Sequence, residues 1–154
     1  MVSAYGVLKL LHVLSVVVWI GGAMALATVT GMLIRASDRA TLASLLPHSM
    51  AYGQKMAGPS AIIALLTGIA MVVMGKTGFG TFWVSYGFAG IIVHFAFGAT
   101  VLRKRTMALT EALSASTPDE ARLADAGARL RIANLIYLLI MISVVGAMVL
   151  KPTL

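Results

Sequence analysis

Residues 8–22 read LKLLHVLSVVVWIGG, and the fold turns on how this run is classed. It is almost unbroken apolar sequence, yet Lys9 and His12 stand three positions apart in it, on one face of a helix. With its neighbours the run extends from Tyr5 to Ile34, above the roughly 20 residues that a helix needs to cross the hydrocarbon core of a bilayer. A charge and an imidazole at such a depth cost stability and call for a partner.

Composition places the whole chain in the same class. Of 154 residues, 60% are hydrophobic and 11% charged, and the mean hydropathy is +0.96, beyond what a soluble core of this size uses. There is no cysteine, which excludes disulfides and thiolate metal sites. The start, Met-Val-Ser-Ala-Tyr-Gly, lacks a basic n-region and the apolar run behind it is too long for an h-region, so it is expected to be a retained first span.

Four apolar segments follow one another, Tyr5 to Ile34, Ser49 to Met74, Phe82 to Leu102 and Ile132 to Leu150. Lipid offers no partner to a free backbone group, so each must be helical. The sequence predicts an all-α, integral membrane four-helix bundle, one domain over residues 1–154, with helices at about 5–34, 48–75, 81–113 and 118–150. Arg35 to Pro47 is expected as a loop with room for an interfacial turn, and 76–80 as a tight glycine turn. Thr117, Pro118 and Glu120 suit the N-cap, N1 and N3 positions of a capping box. A helix from Pro118 to Leu150 would span roughly 50 Å, so its first turns must project into water.

The net charge is +7. Arg35, Arg39, Lys55, Arg103, Lys104, Arg105, Arg122, Arg129 and Arg131 fall on the side of the first and third loops, whereas Lys9, Lys76 and Lys151 fall on the other. The positive-inside rule then predicts both termini in the periplasm and a multi-pass protein of the bacterial cytoplasmic (inner) membrane. The expected surroundings are the lipid bilayer, with a homo-oligomer or a larger membrane complex as further partners. No basic motif interleaved with aromatics supports binding of nucleic acid.

Polar residues inside the spans are the candidates for function. His12, Ser15, Trp19 and Ala23 share a stripe with Lys9 one turn away, and His94 lies in YGFAGIIVHFAFG, where Gly87, Gly90 and Gly98 leave the helix surface bare. Such glycines admit either a neighbouring backbone or a flat porphyrin. Each histidine suits either a hydrogen-bonded imidazole between helices or a haem, metal or proton role. Counted from the basic side, His12 lies roughly 34 Å deep and His94 roughly 14 Å; counted from the other side, roughly 10 and 17 Å. Ligation of one group by both is therefore not assumed. A grouping of His94, Lys55 and Asn134 in one half, with Lys9, His12, Tyr86 and Lys151 in the other, is the alternative.

The run LKLLHVLSVVVWIGG resembles the opening helix of the small membrane proteins related to HemJ-type protoporphyrinogen oxidase and to the CopD copper-resistance domain. QKMAGPSAIIALLTGIAM, FWVSYGFAGIIVHF and RIANLIYLLIMISVVGAMVLKPTL are similar to the second, third and last helices of the HemJ proteins. Leu135 and Tyr137 replace that family's acidic residue and proline, and a lysine is absent around Tyr86 and Gly87, so the pattern is closer to the uncharacterised integral membrane branch of the group. The resemblance implies haem b, with His12 as first axial ligand, His94 as the other metal candidate, and Lys55 and Asn134 in the pocket. Trp19, Tyr86 and the Gly87/Gly90 face would line the porphyrin.

The leading expectation is thus a membrane haem protein with a redox role, an oxidoreductase if it is an enzyme, acting on a porphyrin or passing electrons to a quinone. Two other classes stand beside it. One is a CopD-like metal-handling module using His12 and Met24; the other is a cofactor-free subunit whose small-residue faces pack on a larger complex.

Overall fold

The computed structural model describes residues 3–117 and 119–152. Four helices are long and apolar enough to cross a membrane: α1 Ala4–Ala36, α2 Arg39–Met74, α3 Phe82–Leu113 and α4 Glu120–Leu150. Among the described residues there is no strand. The expected all-α membrane bundle is therefore the observed one, and an even number of spans brings both ends of the chain to the same side. We call that side the termini side and the opposite one the basic side.

Two boundaries differ from the expectation. Residues 39–47 are not a loop: α2 begins at Arg39, well before the expected residue 48, and Pro47 lies inside it. Asp38 starts the helix by accepting from the Thr41 N–H at 3.1 Å, and burial of Leu42 and Leu46 accompanies helix through a polar stretch that hydropathy alone reads as loop. The N-cap of α4 is likewise Asp119, whose carboxylate accepts from the N–H groups of Ala121 and Arg122, rather than Thr117. Glu120 is then the first helical residue, and it pairs with Arg39 instead of closing a capping box. Pro118 lies outside the described residues.

Three of the four helices contain one turn of π-helix, Val17–Gly21 in α1, Gly53–Ala57 in α2 and Gly98–Leu102 in α3. A π turn inserts one residue into the i→i−4 ladder and re-aims the side chains around it. In α1 the carbonyl of Val18, within the π turn, accepts from the Tyr52 hydroxyl of α2. Gly22 is what lets that tyrosine in, because a Cβ there would fall on its ring.

Small residues set the helix contacts, as expected where lipid is as apolar as any side chain and close van der Waals approach must drive association. Ala57, Ala61 and Ala64 form a bare ridge on α2 against which Trp19 of α1 packs, with Ile91 and Met141 from α3 and α4 completing the cluster. On the basic side Leu46, Leu109, Ala126 and Leu130 draw all the helices' neighbours together, and Gly127 of α4 lies against Ile34 of α1. Toward the termini the bundle instead separates into two pairs, α1 on α2 and α3 on α4, with sparse packing between them.

Candidate functional site

The splay of the two pairs opens a cavity of about 580 Å³ on the termini side. A second cavity, of about 410 Å³, lies toward the basic side. Trp19 and His94 line both. They form the waist of the molecule, and each cavity is within the range of small-molecule and cofactor sites.

In the termini-side cavity the polar groups are few and placed. His12 hangs from α1, and its Nδ1 is 2.9 Å from the Ala64 carbonyl and 3.1 Å from Thr67 Oγ1 on α2. A carbonyl can only accept, and the Thr67 hydroxyl is itself 2.7 Å from the Ile63 carbonyl, so the network assigns the proton to Nδ1. That tautomer leaves Nε2 as a lone-pair donor with no protein partner among the described residues. Gly68 makes the space, since a Cβ there would meet His12 Cε1 at 3.4 Å. The mouth is marked by Lys9, Tyr5, Thr77, Trp83 and Lys151, with the Lys151 ammonium 5.3 Å from the centre of the Trp83 ring.

At the waist, His94 is 2% exposed. Its ring lies 3.9 Å from that of Tyr137 and 4.8 Å from that of Trp19, the latter edge-on. Neither ring nitrogen has a hydrogen-bond partner among the described residues. Burying an amphoteric group without one costs on the order of 1–3 kcal/mol, and the packing of Tyr137 and Trp19 against the ring leaves both nitrogens with almost no accessible surface. His94 also lies at the level of Trp19, seven residues or roughly 10 Å along α1 from His12.

Residues from all three π turns reach the basic-side cavity: Trp19 from α1, Gly53, Gln54 and Ala57 from α2, Gly98, Ala99 and Leu102 from α3. Asn134 and Tyr137 face it from α4, and Arg103 stands at its end.

Charge separates these cavities from the rest of the molecule. The chain has five acidic side chains, and all of them are occupied near the basic end. Asp38 and Asp119 cap α2 and α4. Glu120 pairs with Arg39, Glu111 with Arg122 at 2.7 Å and Asp125 with Arg129 at 2.7 Å. The Thr41 hydroxyl, 2.7 Å away, and then its backbone N–H hold the Asp38 carboxyl below the ordinary carboxylate value. Among the described residues no carboxylate lines either cavity. With lysines at one mouth and Arg103 in the other cavity, both favour neutral or anionic ligands over cations.

The residues singled out in the sequence sort as follows. His12, Trp19, His94 and Gly90 line the termini-side cavity, and Trp19, His94 and Asn134 the basic-side one. Lys55 is exposed and lines neither. Tyr86 also lies outside both and donates to Ser143 Oγ at 3.1 Å. The Gly87/Gly90 face is filled from α4: Met148 packs on Gly87 and Val144 on Gly90. Those glycines admit a neighbouring helix, leaving only Gly90 at the cavity's edge. Met24 is 43% exposed and lines neither cavity, and no three His, Cys, Asp or Glu side chains gather as a metal cluster among the described residues. Sequence reasoning overlooked Thr67, Tyr137 and Arg103 as site residues. Tyr137 could have been found, because it follows Asn134 by one turn on a mid-span face.

Over residues 6–152 the chain matches the model of a family described as predicted integral membrane protein (DUF2269), and it belongs to that family. No curated protein matches it, and no solved structure does.

Proposed function

We propose that this member of the DUF2269 family is a membrane haem protein with a redox role, in the manner of the HemJ-like group it resembles, with haem b held in the termini-side cavity. The observation that carries the proposal is His12. Its Nδ1–H is tied to the Ala64 carbonyl, the arrangement that orients a ligating imidazole and raises the basicity of its other nitrogen. Nε2 is left to coordinate from a cavity of about 580 Å³ whose walls are mostly apolar.

The remaining residues suit such a group. Val13, Val16, Ile20, Ile91 and Met141 offer an apolar wall, and Lys9 and Lys151 at the mouth would pair with the propionates. Trp19 closes the floor and excludes water from the far side. Bound haem would supply one-electron chemistry, its potential set by the His12 ligand and the dry surroundings. Oxidation of a porphyrinogen and transfer of electrons to a quinone both suit this arrangement. By the positive-inside rule the cavity would open to the periplasm, in the inner membrane of a bacterium.

The test is spectroscopic. Purified protein is expected to show a Soret band and to release haem b into pyridine, and His12→Ala to lower haem content about tenfold or more. Colourless protein that is fully assembled would remove the proposal, and undiminished haem in both His12→Ala and His94→Ala would remove the ligand assignment.

A further inference from the structure

We propose that the basic-side cavity is a site for one anionic phospholipid of the leaflet on that side, with the phosphate on Arg103 and an acyl chain running toward the waist. Helix contacts fix the level of the polar groups that line it. Gly98 of α3 lies against Tyr137 of α4, and Gly127 of α4 against Ile34 of α1. Both α1 and α3 run opposite to α4, so Arg103, five residues beyond Gly98, is level with Ile132, and Thr30, four residues before Ile34, is level with Arg131. Asn134 follows within a turn, so the lining residues Arg103, Thr30 and Asn134 fall within roughly 5 Å of one another along the bundle.

These three groups have capacity that the fold leaves unused. Thr67, Thr106 and Thr110 each bond the carbonyl four residues back in their own helix. Thr30 is 3% exposed and its hydroxyl has no hydrogen-bond partner among the described residues. That hydroxyl is not sealed as the His94 nitrogens are, and Thr30 lines the cavity. Asn134 is half-buried and likewise unpartnered among the described residues. All five acidic side chains are engaged elsewhere, and Arg103 pairs with none of them.

A guanidinium, an amide and a hydroxyl at one level suit an anion with further acceptor oxygens around it. Toward the waist the lining turns apolar, with Ala23, Leu26, Ala27 and Phe95, until Trp19 closes it eleven residues from Thr30, roughly 16 Å along α1. A phospholipid has this order of groups: phosphate, ester carbonyls, then hydrocarbon. It also has this direction. Arg103 directly follows the third apolar segment and precedes Lys104 and Arg105, which sets it at headgroup depth, and lipids of that leaflet point their chains from there toward the midplane. A soluble phosphate would fill the charged end and leave the apolar length without a partner. Arg35, Lys104, Arg105 and Arg131 line neither cavity; they attract anionic lipid to this side without selecting a site. The inference uses a different cavity from the haem proposal and stands whether or not haem is bound.

Native mass spectrometry tests it, with the intact protein released from micelles holding equal amounts of dioleoylphosphatidylglycerol and dioleoylphosphatidylcholine. One phosphatidylglycerol per chain is expected to be retained in preference. Arg103→Ala should lower the ratio of the two bound lipids about tenfold, and Arg103→Lys, which keeps the charge and loses the fork, should recover part of it. Thr30→Val should weaken retention about threefold. Lys104→Ala removes a neighbouring charge outside the cavity and should leave the ratio within about twofold. Ala27→Phe fills the apolar length with Arg103 in place and should expel the lipid, while its circular dichroism melt in detergent reports folding. Equal losses in Arg103→Ala and Lys104→Ala would reduce the effect to surface attraction and overturn the proposal. Full retention by folded Ala27→Phe would overturn it too, since the chain would then lie outside the cavity. Displacement of the lipid by glycerol 3-phosphate at the concentration at which phosphatidylglycerol itself competes would assign the site to a soluble anion instead. The Soret band of the same samples reports haem separately, so failure of one proposal is distinguishable from failure of the other.

Discussion

At the scale of single residues, His12 illustrates how position converts a costly side chain into a useful one. An imidazole in a span is expensive unless partnered, and α2 supplies the partner through Ala64 and Thr67. Thr67→Val keeps the volume and removes the hydroxyl. If His12 holds haem, this variant should lower haem retention about tenfold, as loss of outer-shell partners of a ligating histidine commonly does; equilibrium haem transfer to apomyoglobin measures it. The candidate site was half legible from the sequence. His12, Trp19, His94 and Asn134 could be named because polar groups at mid-span stand out against lipid-facing sequence. Thr67 could not be weighed, because a threonine in a helix is cheap when it bonds its own backbone, and only its neighbour on another helix gives it a role.

At the scale of elements, the helices are long, between 31 and 36 residues, and their ends are set by capping rather than by hydropathy. Among the described residues, three other than glycine close helices or turns in the left-handed region, Ser37 at φ 54°, Lys76 at φ 52° and Lys151 at φ 48°. A Cβ there costs roughly 1–2 kcal/mol relative to glycine. Ser37→Gly should therefore raise the thermal midpoint followed by circular dichroism in detergent, and an unchanged or lower midpoint would show that the Ser37 turn carries no strain. The alanine ridge of α2 makes the opposite prediction. Ala61 is fully buried beneath Trp19 and its cluster, so Ala61→Leu should overpack the α1–α2 contact and destabilise the protein by about 1–3 kcal/mol. The Asp38 cap should show as a pH dependence. Its carboxyl is held below the ordinary value by Thr41, so its contribution is complete above that value and is lost as pH falls through the lower native one. Melting curves between pH 5 and pH 2 should steepen their decline more in the parent protein than in Asp38→Asn, which keeps the cap without the titration.

At the scale of the whole molecule, orientation is the first thing to test. The chain has no cysteine, so single cysteines can be introduced without background. Ser3→Cys and Thr77→Cys should react with a membrane-impermeant maleimide on intact spheroplasts, and Ser114→Cys only after permeabilisation; the reverse pattern would invert the proposed topology. The sequence by itself determined the membrane class, the four spans, the side on which charge gathers and the helical fold. Those follow from the cost of exposing backbone groups or charges to hydrocarbon, which every residue reports locally. Only the tertiary structure decided that the helices part into two pairs toward the termini, that three π turns surround one cavity, and that Trp19 and His94 separate it from another. Those features depend on which small residue of one helix meets which large residue of the next, as Gly22 meets Tyr52 and Gly90 meets Val144. Such pairings lie tens of residues apart in the chain, and no single span carries a record of the surface it will touch.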